Sequence, residues 1–211
     1  MELPKTPAFR LDGRRALITG ASSGIGLGCA AALAECGADV VVAARSKDKS
    51  DEFVAAASAA GLSASAAIMD VSNVAQMQES LDALGQFDIL VNSAGIAKHS
   101  PAIDTQTDNF DTVMDVNLRG AYFLSQAIAR QLIEAGKPGS IINITSQMAH
   151  VGGIERSVYC ASKFGVEGFT KAMAIEWGQF GVRINTVCPT FVRTALTQST
   201  FDNPEKHAWI M

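Results

Sequence analysis

Cysteine and histidine are scarce in this 211-residue sequence, and their placement does not favour a metal site. None of the four cysteines lies in a C-x-x-C pair, and the three histidines are far apart along the chain. These residues are Cys29, Cys36, Cys160, Cys188, His99, His150 and His207. Because zinc sites usually draw their ligands from closely spaced pairs, the sequence predicts no bound metal. It also predicts free thiols, as is usual in a reducing cytoplasm.

Excess positive charge and long apolar runs are also missing. The net charge is −4, and the sequence has no clustered basic face of the kind that binds nucleic acid. No uncharged apolar stretch reaches the roughly 18 residues that a membrane span needs. The segment up to Arg10 has neither a long apolar run nor a small-residue cleavage site, and a secretory signal would have both. These absences predict a cytoplasmic protein without a nucleic-acid or membrane partner.

The sequence contains no internal repeat, low-complexity block, or linker rich in proline, glycine and serine. Hydrophobic residues make up 48% of it and charged residues 18%, which is sufficient for a packed core. A chain of this length fits in one core, since cores commonly grow to about 250–300 residues before they split. We therefore expect residues 1–211 to form a single domain.

Short apolar runs alternate with longer segments of helical period. The strand candidates are Ala16–Thr19, Val40–Ala43, Ala64–Met69, Ile89–Val91, Ile141–Ile144 and Val182–Val187. The helix candidates are Ile25–Cys36, Lys47–Ala60, Val74–Leu84, Phe110–Ala135 (as one helix or two) and Val158–Phe180. Continuous apolar runs are typical of parallel strands buried on both faces. The pattern predicts an α/β fold, a doubly wound parallel sheet with helices on both faces, which binds ligands beyond the carboxyl ends of its strands.

A glycine-rich turn, Thr19-Gly20-Ala21-Ser22-Ser23-Gly24-Ile25-Gly26, joins the first strand to the first helix. Glycines let the backbone approach a ligand closely, and a helix N-terminus offers N–H groups and partial positive charge to a phosphate. The placement favours a dinucleotide pyrophosphate site formed by Gly20, Ser22, Ser23, Gly24, Ile25 and Gly26. The alternative is a turn that only packs the helix onto the strand.

The end of the second strand bears on which dinucleotide binds. Ala44 stands where NAD sites usually place an acidic residue for the ribose 2′-hydroxyl, and Arg45 follows it. A guanidinium can form a forked hydrogen bond with the 2′-phosphate of NADP. We therefore expect NADP(H) to be preferred and NAD(H) to be accepted. The alternative is that Arg45 is a solvated loop residue and the site tolerates either cofactor.

Tyr159 and Lys163 lie four residues apart on a predicted helix, and therefore on one of its faces. A free tyrosine has a pKa of about 10, and a neighbouring ammonium favours its phenolate, so such a pair can transfer a proton. Ser146 ends the fifth strand, thirteen residues earlier, where it could hold a substrate carbonyl beside Tyr159. The alternatives are an exposed tyrosine–lysine pair without a function, and Thr145 in place of Ser146.

Together these motifs resemble the short-chain dehydrogenase/reductase family over nearly the whole chain, from Thr19 to Thr194. The resemblance is carried by the glycine pattern TGxxxGxG, Ser146, Tyr159, Lys163, Asn92-Ser93-Ala94-Gly95 and Asn117-Leu118-Arg119-Gly120. It implies a Rossmann-type fold and an NAD(P)-dependent oxidoreductase that transfers a hydride between nicotinamide and a ketone or secondary alcohol. It suggests a 3-oxoacyl thioester, or a sugar or polyol, as the small-molecule substrate.

The resemblance also implies roles for individual residues. Ser146 would polarise the carbonyl, Tyr159 would transfer its proton, and Lys163 would lower the tyrosine pKa and bind the nicotinamide ribose. Asn117 would support a water linked to Lys163, unless its amide is only structural. Further cofactor contacts are implied for Asp70, Val71, Asn92, Ala94, Gly95, Tyr159, Lys163, Pro189, Val192 and Thr194. Thr190 replaces the family's glycine, and a β-branched residue disfavours a positive φ, so the local path is expected to differ.

The remaining expectations concern the substrate, the chain end and assembly. Gln147, His150 and Val151 are expected to line the substrate pocket, and Phe191, Leu196, Phe201 and Trp209 to form its lid. Because family members continue further, the C-terminal end at Met211 is expected to be incomplete. The resemblance implies a homodimer or homotetramer formed through the long helices.

Two other functions remain open from the sequence. A non-catalytic NAD(P)-binding regulatory protein is the main alternative, although it would not need Ser146, Tyr159 and Lys163. A sugar-nucleotide epimerase or dehydratase would have a different glycine spacing and a larger second domain.

Overall fold

The computed structural model describes residues 8–195 and 197–210. Its strands are β1 (Arg15–Thr19), β2 (Asp39–Ala44), β3 (Ala64–Ile68), β4 (Ile89–Asn92), β5 (Gly139–Ile144) and β6 (Val182–Val187). Its α-helices are α1 (Gly24–Glu35), α2 (Lys47–Ala59), α3 (Val74–Leu84), α4 (Thr107–Met114), α5 (Ala121–Glu134), α6 (Ser157–Trp177), α7 (Gln198–Asp202) and α8 (Pro204–Ile210). Among the described helices, none combines the length and hydropathy that crossing a membrane requires.

The six strands form one sheet in the order β3-β2-β1-β4-β5-β6, and every neighbouring pair is parallel. The chain starts in the middle, builds outward to β3, and then crosses back to place β4 on the other side of β1. This reversal is the point in a doubly wound sheet where ligands bind, beyond the carboxyl ends of the strands. The predicted α/β fold is confirmed.

Two apolar layers hold the helices against the two faces of the sheet. On one face, Leu17 and Leu90 pack with Leu81 of α3, Ile128 of α5 and Met173 of α6. On the other face, Ile18 and Val40 pack with Ala30 and Ala34 of α1. Successive residues of β1 thus enter opposite layers, as the two-residue period of a strand requires.

The two edge strands differ from the sequence prediction. Every residue of β3 is only partly buried or exposed, whereas β1 and β2 are almost wholly buried. In β6, Val182 and Ile184 are buried while Arg183 and Asn185 are exposed. The expectation of burial on both faces was therefore wrong for these strands, because at the edges of the sheet the packed helices leave part of each strand uncovered.

A π-helical turn, Asp115–Gly120, joins α4 to α5, so the predicted segment Phe110–Ala135 is one continuous helix with a wide turn inside it. Such π segments are frequent at functional sites. Gly120 ends the turn against the loop after β3, where an added Cβ would lie 2.6 Å from the carbonyl oxygen of Val71. The absence of a side chain therefore lets the helix lie directly on that loop.

Candidate active site

A cavity of about 390 Å³ opens at the carboxyl ends of the central strands. Most residues that the sequence singled out line it: Gly20, Ser22, Ser23, Gly24, Ile25, Arg45, Asp70, Val71, Ala94, Gly95, Ser146, Tyr159, Lys163, Pro189, Val192 and Thr194. Lining residues that sequence reasoning missed are Ala43, Met69, Ile96, Val116, Ile144 and Thr197. Several of these end a strand or directly follow one, which is the signal that could have found them. Gly26, Asn92 and Asn117 do not line the cavity.

The glycine turn after β1 is shaped to bring backbone close to a ligand. Gly20 has a φ of 65°, and a Cβ there would lie 2.7 Å from the amide nitrogen of Ala94. Gly26 lies beneath the turn, where a Cβ would come within 2.5 Å of the carbonyl oxygen of Gly20. At the N-terminus of α1, Ser23 makes no side-chain capping bond. The first N–H groups of α1 therefore fit a pyrophosphate.

Arg45 and Asp70 are two groups of opposite charge that line the cavity. Arg45 is exposed and directly follows β2. One Asp70 oxygen, Oδ1, accepts hydrogen bonds from the backbone N–H of Ser72 at 3.0 Å and from its hydroxyl at 2.7 Å. These bonds, with a smaller contribution from the charge of Arg45, lower the pKa of Asp70. The carboxylate is therefore held in a fixed, ionised form beside the guanidinium.

Asn92 serves the interior of the protein and not the cavity wall. Its amide nitrogen donates to Ser125 Oγ at 3.1 Å and to Asn143 Oδ1 at 2.9 Å. The Asn143 amide in turn donates to Thr170 Oγ1 at 2.9 Å. This buried network ties β4 and β5 to α5 and α6. The Asn92 side chain is thus structural, and a cofactor contact of this residue stays a prediction for its backbone.

Ser146 and Tyr159 meet as the family resemblance implied. Ser146 begins the 3₁₀ turn Gln147–Ala149, and its Oγ accepts the backbone N–H of Met148 at 3.1 Å. Both residues line the cavity, and the Ser146 side chain acts on the Tyr159 phenol as a hydrogen-bonding group that lowers its pKa. The Thr145 hydroxyl instead donates to Glu167 Oε1 at 2.8 Å. Ser146 and not Thr145 is therefore the hydroxyl beside the tyrosine.

The pKa of Tyr159 differs from the sequence expectation. Burial raises it, and the hydrogen bond with Ser146 and the charge of Arg156 only partly oppose this. The expected lowering by Lys163 is not found in the protein alone, because Lys163 Nζ lies 5.8 Å from the Tyr159 ring centroid and donates to the carbonyl of Ile144 at 2.9 Å. Tyr159 is thus protonated at neutral pH and suited to donate a proton.

Lys163 is a buried ammonium next to the cavity. Burial lowers its pKa to about 8. Its hydrogen bond to the carboxyl end of β5 fixes the amine between that strand and the loop after β4, where an added Cβ on Gly95 would lie 3.6 Å from Nζ. The amine is therefore held near the wall of the cavity and close to its point of half-ionisation at physiological pH.

Asn117 lies behind this lysine, in the π turn, and is 1% exposed. Its Oδ1 accepts the N–H of Ile96 at 2.8 Å, and its Nδ2 donates to the Ile96 carbonyl at 2.9 Å and to Ser162 Oγ at 3.1 Å. Both amide N–H groups are taken by protein. The Asn117 side chain therefore holds the loop after β4 in place, and the expected support of a water linked to Lys163 stays a prediction.

The loop after β6 passes the cavity without a positive φ at Thr190, which stands where the family has a glycine. Within residues 8–195 and 197–210, Glu155 is the one non-glycine residue with a positive φ, of 60°. Thr190 lines the cavity in an ordinary conformation, and the carbonyl of the preceding Pro189 accepts the N–H of Gln147 at 2.9 Å. This bond joins the loop after β6 to the loop that carries Ser146.

The residues expected to line the substrate pocket or to form its lid do not line the cavity where the structure describes them. Gln147, His150 and Val151 do not line the cavity, and the His150 ring turns toward Cys188, with Nε2 3.2 Å from Sγ. Phe191 and Phe201 of the expected lid do not line it either. The other two members of that set, Leu196 and the side chain of Trp209, lie outside the described residues, as does Met211.

Comparison with known proteins agrees with this geometry. A family model described as short chain dehydrogenase matches residues 14–205. A D-threitol dehydrogenase from Mycolicibacterium smegmatis is 40% identical over 95% of this chain and 78% of its own length. A 2-dehydro-3-deoxy-D-gluconate 5-dehydrogenase from Dickeya dadantii is 40% identical over 90% of this chain and 76% of its own. A gluconate 5-dehydrogenase from Burkholderia cenocepacia, crystallised with NADP and tartrate, has a TM-score of 0.91 at 37% identity over 96% of this chain and 80% of that one.

Proposed function

The chain belongs to the short-chain dehydrogenase/reductase family and is an NAD(P)-dependent oxidoreductase, and we propose that it interconverts a secondary alcohol and a ketone on a sugar or polyol. The observation that carries the proposal is the convergence of Ser146, Tyr159 and Lys163 in one cavity with the glycine turn. A regulatory protein without turnover would not need these three groups together. Among the two substrate classes suggested by the sequence, the polyhydroxylated one is supported by the names of the relatives.

The cofactor proposed for this cavity is NADP(H). Its phosphates would meet the N-terminus of α1 and its adenosine end would meet Arg45 and Asp70. The solved relative with bound NADP supports this choice. When bound, the cofactor supplies or accepts the hydride, and the protein provides orientation and electrostatics.

The side chains would divide the remaining chemistry among them. In the reducing direction, Ser146 donates a hydrogen bond to the carbonyl oxygen, and Tyr159 donates its proton to that oxygen as the alcohol forms. In the oxidising direction, Tyr159 must first lose its proton, and a positive charge on Lys163, where the amine is protonated, would favour the phenolate. Asn117 holds the loop after β4 in place behind Lys163. Because burial raises the pKa of Tyr159, oxidation should accelerate as the pH rises.

We also propose that residues 1–211 fold as one domain and assemble as a homodimer or homotetramer. Support comes from large apolar side chains that α4, α5 and α6 expose: Phe110, Tyr122, Phe164 and Ile175. Helices from two subunits could cover these side chains in a four-helix interface.

The test is a two-direction assay on the purified protein. NADPH oxidation would be followed with keto-sugars and with 3-oxoacyl thioesters, and NADP⁺ reduction with tetritols, pentitols and aldonates. Tyr159→Phe should reduce kcat by about 10²–10⁴-fold while cofactor affinity is retained. The chain's only other tyrosine offers a matched control, so Tyr122→Phe should keep full activity. Turnover that survives in Tyr159→Phe, or a clear preference for the thioesters, would contradict the proposal.

A further inference from the structure

Three side chains of different chemistry converge beside the active site but outside the cavity. Cys188 Sγ lies 3.1 Å from Glu167 Oε1 and 3.2 Å from His150 Nε2, and the latter two atoms are 3.9 Å apart. In the part of the chain that the structure describes, this is the group of three that could hold a metal ion. The three residues come from the loop after β5, from α6 and from the loop after β6, so their sequence spacing gave no sign of the cluster.

We propose that His150, Glu167 and Cys188 bind a divalent metal ion of the zinc type. Zinc binds thiolate sulfur at about 2.3 Å and imidazole nitrogen or carboxylate oxygen at about 2.0–2.2 Å. Around a tetrahedral ion these bond lengths separate neighbouring ligand atoms by roughly 3.3–3.7 Å. The observed separations of 3.1, 3.2 and 3.9 Å bracket that range, so small side-chain rotations suffice. The sulfur and nitrogen ligands disfavour magnesium and calcium, which take oxygen ligands.

Charge and hydrogen bonding also suit such an ion. One thiolate and one carboxylate balance the two positive charges, so the filled site is neutral, as a buried site requires. The Glu167 carboxylate accepts hydrogen bonds from Cys188, Thr145 and Thr186, so both of its oxygens are held in place. Thr145 fixes Oε1 at 2.8 Å and Thr186 fixes Oε2 at 3.1 Å. Such outer partners orient the ligands of metal sites.

The site also has an entrance. The Glu167 side chain is 8% exposed, whereas that of His150 is 52% exposed. An ion could therefore enter from the histidine side and keep a water molecule there as its fourth ligand. This is the arrangement of a zinc site with one open position.

A cysteine nucleophile activated by histidine is the competing use of these groups. In such a catalytic triad the acidic residue binds the ring nitrogen that faces away from the nucleophile. Here Glu167 and Cys188 both face Nε2 of His150. Two groups directed at one nitrogen fit a shared ion between the three ligands and not a proton relay.

The ion would link the ends of two strands that frame the active site. Thr145, which holds Glu167, precedes Ser146, and Cys188 precedes Pro189 of the cavity wall. The inference is independent of the proposed substrate, because it requires only these three ligands.

The experiment is a calorimetric titration of the full chain with ZnCl₂, with thiols reduced and EDTA removed beforehand. We expect one ion per chain and the release of about one proton, from the Cys188 thiol, measured in buffers of different ionisation enthalpy. Co²⁺ should give the absorption of thiolate-to-metal charge transfer. Cys188→Ser should abolish that absorption, and Cys188→Ser and Glu167→Gln should each weaken zinc binding at least about 100-fold. Cys36→Ser is the matched control and should bind zinc as the wild type does.

Circular dichroism would establish that each variant folds. If Glu167→Gln does not, Cys188→Ser decides the question, because serine keeps the size and position of a partly exposed side chain. Zinc affinity that is unchanged in Cys188→Ser, or a Co²⁺ complex without charge-transfer absorption, would overturn the proposal.

Discussion

Arg45 carries the choice between the two nicotinamide dinucleotides at the scale of a single side chain. Its guanidinium lines the cavity directly after β2, and the buried Ala44 before it offers no carboxylate to a ribose hydroxyl. A charge-assisted hydrogen bond contributes about 1.5–3 kcal/mol, which is a factor of roughly 10–150 in an equilibrium constant. We therefore expect Arg45→Ala to raise the KM for NADPH by about that factor and to leave the KM for NADH nearly unchanged.

Steady-state kinetics at low and high salt would check this prediction, since an exposed ion pair weakens as salt screens it. Lys49→Ala removes another exposed positive charge, from the first turns of α2, and should change neither KM. Equal losses for NADPH and NADH in Arg45→Ala would mean that the arginine does not distinguish the cofactors.

Lys163 is a functional residue whose ammonium charge is buried, and burial of a charge costs folding free energy. Burial lowers its pKa from 10.5 to about 8, which corresponds to a cost of about 3 kcal/mol for the ammonium form at neutral pH. Lys163→Met should therefore raise the free energy of unfolding at pH 7 by about 1–3 kcal/mol, while the activity is lost. Urea unfolding followed by circular dichroism would measure it.

The pH dependence gives this prediction a second check. Between pH 8 and 10.5 the native protein has released the Lys163 proton while the unfolded chain keeps it. The stability that this group contributes to the wild type therefore rises with pH in that window, and the advantage of Lys163→Met should shrink there. A variant less stable than the wild type at pH 7 would show that the hydrogen bond to Ile144 outweighs the cost of burial.

At the scale of elements, the π turn between α4 and α5 depends on close contact with the loop after β3. An added methyl at Gly120 would collide with backbone at Val71, a cavity-lining residue, and backbone cannot rotate away. Gly120→Ala should lower the free energy of unfolding by about 1–3 kcal/mol and raise the KM for the cofactor. Gly28→Ala is the control, because a Cβ at that position in α1 meets nothing within 4 Å.

Alanine is favoured over glycine inside a helix, so Gly28→Ala should be neutral or stabilise by up to about 1 kcal/mol. Thermal and urea unfolding, with cofactor titrations, would compare the two variants. Gly120→Ala could instead unfold like the wild type and bind the cofactor equally well. The loop after β3 would then be able to move away from the added methyl, and the close packing would not be needed for stability or cofactor binding.

The elements themselves were largely predictable. Val74–Leu84 and Val182–Val187 were predicted with the observed bounds, because periodic apolar residues and turn residues mark both ends. The π turn was not predicted, since one helical turn of larger radius leaves no separate mark in the spacing of apolar residues. The partial burial of β3 and β6 was also missed, because a strand's own residues do not say whether another strand or a helix lies beside it.

The parts of the site that residues close in sequence form could be predicted. The parts that form only when distant residues meet in the fold could not. Tyr159 and Lys163 follow helical spacing, and the glycine turn is continuous, so both were found. The amides of Asn92 and Asn117 take partners 51 and 21 positions away, respectively, and their inward direction could not be inferred. The same reason hid the contact between His150 and Cys188, which are 38 positions apart.

At the scale of the whole molecule, the sheet brings functional residues from distant parts of the chain together at the carboxyl ends of its strands. The strand order reverses between β1 and β4, and the loops there bring together the glycine turn, Arg45 and Asp70. The opposite side of β4 adds Ser146 from the loop after β5 and the tyrosine and lysine of α6. Because α6 supplies these catalytic groups with its inner face, its outer face remains available for contact with another subunit.

That outer face is apolar where a monomer would be expected to be polar. Phe164 and Ile175 lie eleven residues apart, three turns along the same side of α6, and are 49% and 84% exposed. Large exposed apolar side chains on one face of a helix suit a contact with another subunit. We expect the wild type to sediment as a dimer or tetramer at micromolar concentration and the double variant Phe164→Glu/Ile175→Glu to sediment as a folded monomer. Ile103→Glu, which changes a residue 93% exposed outside these helices, should leave the assembly intact. A wild type that sediments as a monomer would overturn the interface, and dissociation by Ile103→Glu would move it away from α6.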